Sequence, residues 1–252
     1  KRNRFSGGGQ QYAYIINNFI DFGEGEHIND MYNITDEILE MKLTINSRYN
    51  ILELDSQNNM NLYSQLMMKP YEVMKRRQYW RFLTSGFVHD GYSHLGFNMF
   101  TLYFFGGAVE QYFGYILGSA STIVFIFFYL SALIVSDLPG YFKNKNKPGY
   151  NTIGASGAVS AMVFASIIYT PLNKICLFAL LCLPGFILGI IFIIYSFTQS
   201  KNLSQNINHE AHLYGALYGI AFSIWVYPES LSIFLDQILS FSGFSYERTC
   251  LK

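Results

Sequence analysis

From residue 82 onward the chain breaks into five long apolar stretches, at about 82–109, 115–136, 152–170, 175–197 and 209–227, and no other feature constrains its fold as strongly. A helix that crosses a bilayer needs about 20 predominantly apolar residues, and most of these stretches approach or exceed that length. The joints between them, at 110–114, 143–148, 171–174 and 198–208, carry charge, proline or glycine. Each is short enough to make consecutive helices antiparallel neighbours. Composition points the same way: 51% of residues are hydrophobic, 18% are aromatic and only 13% are charged, a balance that suits lipid-facing and interfacial surface. The expected fold class is all-α, a polytopic membrane helical bundle with five clear spans.

The remainder of the chain divides around that bundle. Residues 1–64 are rich in Asn, Asp, Glu and Ser, lie outside the bilayer core and carry no assignable chemistry. A short helix is expected over 35–43, with Thr35 capping a first turn that contains Asp36 and Glu37. Residues 65–228 form the membrane domain and 229–252 a C-terminal tail. The opening Lys1-Arg2-Asn3-Arg4 leads into polar sequence rather than an apolar signal peptide, so a later span is expected to direct insertion. Lys and Arg together number 17, as do Asp and Glu, which leaves a nucleic-acid partner without electrostatic support. The expected surroundings of the bundle are lipid. Cys176, Cys182 and Cys250 have no metal-type spacing, and Cys182 lies in an apolar run where a disulfide partner is hard to reach. These cysteines read as structural.

Antiparallel alternation puts the N-terminal ends of the first, third and fifth stretches on one face of the membrane. Polar residues, which are costly at membrane depth, gather at those same ends: His94 and Asn98 in the first, Ser156 in the third and His212 in the fifth. In Gly154-Ala155-Ser156-Gly157 the serine stands between small residues at a helix start, where a peptide can approach its hydroxyl. Gly157, Ala161 and Ala165 continue as a smooth ridge at four-residue spacing, and Ala211, Gly215 and Gly219 form a second such ridge. Ser156 borders one ridge and His212 the other, so close packing of the two helices brings hydroxyl and imidazole within hydrogen-bond reach. Glu210 is next to His212 in sequence but points elsewhere on a helix, which makes a dyad the expected arrangement. His94 and Asn98, four apart on one helical face, are candidate donors to an oxyanion, with Gly154 lining the same side. His89, His94, His209 and His212 are numerous enough to gather round zinc, but no short zinc-ligand motif is present, and no metal is expected.

These residues resemble the rhomboids, a family of intramembrane serine proteases, over about 70–228. Tyr79-Trp80-Arg81 is similar to the family's Trp-Arg loop element. His89-Asp90-Gly91-Tyr92-Ser93-His94-Leu95-Gly96-Phe97-Asn98-Met99 is similar to its His, His, Asn segment, and Gly106-Gly107-Ala108-Val109-Glu110 to the end of that helix. Gly154-Ala155-Ser156-Gly157-Ala158 resembles the nucleophile motif, and Ala211-His212-Leu213-Tyr214-Gly215-Ala216-Leu217-Tyr218-Gly219 the base-bearing helix. The resemblance implies a Ser156 and His212 dyad, an oxyanion hole from His94, Asn98 and the Ser156 backbone, no cofactor, cleavage of single-span membrane proteins, and a mobile helix or loop cap over the cavity.

Three features depart from the family. Its usual core has six spans, whereas 41–68 here is too polar to cross a bilayer, so the first family helix is missing or replaced. Ser160 stands where several members carry an aromatic residue against the base, so His212 is expected to be held differently, by Tyr214 or Tyr218. The family's outward active-site face also puts Lys75, Arg76, Arg77 and the basic 143–147 segment outside, against the positive-inside tendency. The expected function is therefore an intramembrane serine endopeptidase. Its rival is a pseudoprotease that binds membrane clients without cutting them. A channel or transporter would require pore charges or inverted repeats, and neither is seen. Minimal loops fit a bacterial inner membrane, with an organelle as the other compartment. Nothing in the sequence marks the oligomeric state.

Overall fold

The computed structural model of the chain describes residues 60–177, 181–201 and 208–241. The helix expected over 35–43 lies outside the described residues. Ahead of the apolar region, α1 (Met60–Leu66), α2 (Pro70–Arg76) and α3 (Arg81–Thr84) are tied together by one buried arginine. Arg81 donates to the carbonyls of Ser64 at 3.1 Å and Met67 at 2.7 Å and to Oε1 of Gln78 at 2.7 Å. Those bonds make a buried cation tolerable. Thr84 Oγ1 adds a bond to the carbonyl of Leu66 at 2.8 Å.

The first apolar stretch, expected as one span over 82–109, is interrupted. After α3 a 3₁₀ turn, Ser85–Phe87, ends in extended backbone at Val88, and the long helix begins only with α4 (Gly91–Thr101). It then runs through a π-helical turn, Leu102–Gly106, directly into α5 (Gly107–Leu117). The charged 110–114 segment is thus no joint, and Glu110 is buried within α5. The chain turns later, at Gly118, whose φ of 57° with ψ of −126° is a conformation side chains rarely adopt. A single 3₁₀ turn follows, and then α6 (Ser121–Asn144), which packs back on α5.

The remaining helices are α7 (Ser156–Tyr169), α8 (Gly185–Gln199), α9 (His209–Val226) and α10 (Glu229–Phe241). Among the described residues, one run, Gly91–Asn144, is long and apolar enough to cross a membrane, while α7 and α8 are shorter apolar helices. The five stretches are therefore not separately delimited as spans by length and composition. The all-α expectation also needs correction. Between α7 and α8 the chain forms an antiparallel hairpin, β1 (Lys174–Leu177) and β2 (Leu181–Pro184), paired from Lys174 with Pro184 to Leu177 with Leu181. Pro171 and Pro184 bracket this run, and apolar character alone does not distinguish strand from helix there. In this register Cys176 faces Cys182, and a disulfide joins them. The hairpin supplies the partner that a continuous helix would have denied to Cys182. Part of the expected tail is likewise structured, as α10.

At the centre lies α7. Twelve of its 14 residues are buried, as expected for a helix apolar on every side, and α9, α6, α8, α5 and α10 all pack against it.

Candidate active site

The nucleophile candidate is positioned by backbone. Met68 and Thr152 pair as a one-rung antiparallel bridge, with Met68 N–H to Thr152 O at 2.9 Å and Thr152 N–H to Met68 O at 3.0 Å. Two residues later Gly154 N–H donates to the carbonyl of Ser85 at 2.9 Å. The loop thereby reaches Ser156, the first residue of α7, fastened to the platform built by Arg81. Gly154 itself has φ of +106°, and a β-carbon there would stand 2.7 Å from Cε1 of His94. Glycine is required both by the conformation and by the imidazole lying against it.

The two small-residue ridges lie against each other. A β-carbon on Gly215 would collide with the carbonyl of Gly157, and one on Gly219 with the carbonyl of Ala161. One on Gly157 would strike the hydroxyl of Ser136 and come within 3.2 Å of the carbonyl of Ala211. With α7 and α9 backbone to backbone, His212 Nε2 lies 2.7 Å from Ser156 Oγ. Asn208 caps α9 by accepting from the N–H of Ala211 at 3.1 Å, which fixes the turn that carries the imidazole. Glu210 faces away and pairs with Lys143 of α6 at 3.4 Å, so no acid completes a triad from that position.

His94 is half-buried, and Asn98 is buried with Nδ2 donating to the carbonyl of His94 at 2.9 Å. The backbone N–H of Asp90 lies 3.4 Å from Nδ1 of His94, an arrangement that leaves the ring proton on Nε2. The four histidines form two pairs instead of one cluster, His89 edge-on to His94 at 5.0 Å and His209 edge-on to His212 at 5.7 Å between ring centroids. A narrow cleft with room for about one water-sized molecule, ≈ 10 Å³, reaches Ser156 between Ser85, Asp137, Thr152, Gly154 and Asn208.

The support of His212 differs from expectation. Tyr214 is 39% exposed, and the hydroxyl of Tyr218 pairs with that of Ser131 on α6 at 2.6 Å. The rings beside His212 are His209 and Phe192 of α8, the latter at 6.2 Å and inclined by 30°. Ser160, at the position expected to lack an aromatic, donates to the carbonyl of Ser156 at 2.8 Å. Phe192 had no mark in the sequence, being one apolar residue in an apolar run. His209 was visible only as a histidine.

This geometry allows proton transfer between a hydroxyl and an imidazole, next to further N–H donors and the free N–H groups of a helix start. Comparison with known proteins gives it a context. A sequence model described as Rhomboid domain matches residues 76–229, more than half of the chain. The chain is 30% identical over 145 residues to RHOMBOID-like protein 12, mitochondrial, of Arabidopsis thaliana, covering 53% of this chain and 42% of that protein. It is 28% identical over 161 residues to RHOMBOID-like protein 6, mitochondrial, of the same plant, covering 63% and 48%. With Rhomboid-like protein 11, chloroplastic, also of Arabidopsis thaliana, identity is 30% over 171 residues, covering 63% and 56%. The matched region thus spans about half the length of these relatives. The chain belongs to the rhomboid family and is an integral membrane protein.

Proposed function

We propose that this chain is an intramembrane serine endopeptidase that cleaves single-span membrane proteins, with Ser156 as nucleophile and His212 as general base. The observation that carries the reading is the 2.7 Å separation of Ser156 Oγ and His212 Nε2 across two helices that meet backbone to backbone. As Oγ attacks the scissile carbonyl carbon, its proton passes to Nε2. The carbonyl oxygen becomes an oxyanion beside the Ser156 N–H, which belongs to the unpaired, partly positive first turn of α7. His94 Nε2–H and the second N–H of the Asn98 amide are the further donors. Collapse breaks the C–N bond, and the leaving amine takes the proton from His212. Water then attacks the acyl-enzyme while His212 accepts its proton; the acyl C–O bond breaks and Ser156 Oγ takes that proton from His212. No cofactor takes part.

In this reading α4 with α5, α6, α7, α8 and α9 are the five membrane-embedded segments, and the site lies where α4, α7 and α9 begin, near one membrane surface. The relatives are named as mitochondrial and chloroplastic proteins, which favours an organellar membrane over the bacterial inner membrane that short loops had implied. The test is labelling of the solubilised protein by a fluorescent phosphonate, with Ser156→Ala and His212→Ala as controls. Labelling of the parent and loss in both variants supports the dyad. A folded, monodisperse parent that does not label makes the chain a client-binding pseudoprotease.

A further inference from the structure

We propose that α10 is an in-plane amphipathic helix that rests on the lipid–water boundary at the end of the bundle opposite the site. The first part of the argument is position. Both α7 and α9 start at the Ser156 and His212 end, so they finish at the other, where α8 begins after the hairpin. From there α10 leaves α9 at Pro228, packs on α7 and α9, and ends with Phe241 edge-on to Phe186, the second residue of α8, at 5.6 Å. Both of its termini therefore lie at the same end of the bundle. Its 13 residues measure about 20 Å, well short of the roughly 30 Å hydrocarbon core.

The second part is how its surface divides. Ser230 is buried, and Ile233, Phe234, Gln237 and Ile238 are half-buried toward the protein. The outward surface consists of two parallel stripes. Leu231, Leu235 and Leu239 form one and are 42%, 49% and 47% exposed. Ser232, Asp236 and Ser240 form the other, one residue on and also exposed. Residues four apart share a face, and consecutive residues stand about 100° apart. A wholly wetted helix has no use for the leucine stripe, and a submerged one could not tolerate Asp236. A boundary satisfies both stripes, with leucine toward hydrocarbon and Ser/Asp toward water. At the same end of the bundle Trp225, 71% exposed at the end of α9, is of the ring type that collects at the interface. The sequence of α10 itself contains Glu229 and Asp236 and no lysine or arginine, so the attachment of this helix is expected to be apolar and independent of anionic headgroups.

The test is spin labelling of the full chain in phosphatidylcholine vesicles, on a Cys250→Ser background in which Cys176 and Cys182 remain bridged. Leu235→Cys and Asp236→Cys place labels on the two stripes at exposed positions that burden folding little. The Leu235→Cys label is expected to relax several-fold more with oxygen than with a water-soluble nickel chelate, and the Asp236→Cys label to show the reverse. Adding anionic lipid should leave both ratios unchanged. Preferential relaxation of both labels by the chelate, or of both by oxygen, overturns the proposal, the first by removing lipid contact and the second by submerging the helix.

Discussion

The helices α7 and α8 are adjacent, nearly equal in length and both apolar, yet they are held in opposite ways. In α7 twelve of 14 residues are buried, whereas in α8 burial is confined to Gly185, Gly189 and Ser196 while Ile190, Ile191 and Ile194 face outward. The difference lies in the approach of neighbours. Where hydrophobicity does not drive helices together, close backbone contact does, and α7 has it along the Gly157–Gly215 and Ala161–Gly219 seam. Against α8 the corresponding fit is looser: a β-carbon on Gly189 would lie 3.3 Å from Cε1 of Phe164, a side chain free to yield. Yet α8 also touches the site, through Phe192 beside His212. The candidate nucleophile thus sits on the most constrained helix and a neighbour of the candidate base on one of the least constrained.

The comparison breaks most visibly at the seam. Gly215→Ala drives a methyl group into the carbonyl of Gly157, and backbone cannot yield as a side chain does. The two helices must separate, so phosphonate labelling is expected to fall about 100-fold or more, as 1 Å misplacements do at catalytic geometry, with a clear drop in Tm. Retained labelling would mean that the seam does not set the Ser156–His212 distance. Gly154→Ala ranks next. The +106° φ and the His94 ring together make alanine cost about 1–3 kcal/mol, felt at the loop more than in the bundle. Labelling should fall about tenfold or more through the displaced imidazole, with a smaller loss of Tm than at Gly215.

How much of this was legible in advance follows from the same contrast. The paired glycine and alanine ridges stand at helical spacing, and helical spacing survives folding, so the meeting of Ser156 with His212 followed from periodicity. His94 and Asn98 were marked by being polar within an apolar stretch. Interruptions and neighbours left weaker traces. Glu110 resembled a joint but is buried inside α5, and the true turn at Gly118 rests on a backbone dihedral that composition does not encode. The hairpin was hidden because Lys174–Leu177 and Leu181–Pro184 match the apolar content of the helix that follows. Met68 and Thr152, which brace the nucleophile loop through main-chain bonds, left no side-chain signature at all.

The comparison sharpens on α8. Phe192→Ala removes the ring beside His212 from a half-buried position. If Phe192 orients the base, labelling should slow several-fold at nearly constant Tm, and Phe192→Tyr should restore it, since the tyrosine ring keeps the packing face. A fall in Tm that matches the fall in labelling, or no recovery with tyrosine, would make Phe192 mere filler.

The smallest effect belongs to Gly189→Ala. It is chemically the same change as at Gly215, but its methyl group meets the Phe164 ring edge instead of a carbonyl. Alanine is also the better helix former by about 0.8–1 kcal/mol, which offsets much of the crowding. Tm is expected to stay within about 1 kcal/mol equivalent of the parent and labelling within about twofold. Gly189 and Gly215 are both buried helical glycines, one facing a side chain and the other a backbone carbonyl, so the ratio of their Tm losses reports what backbone contact adds to rigidity. Equal losses at the two positions would show instead that α8 is clamped as tightly as α7, and the contrast between the two helices would then lie in their exposure to lipid alone.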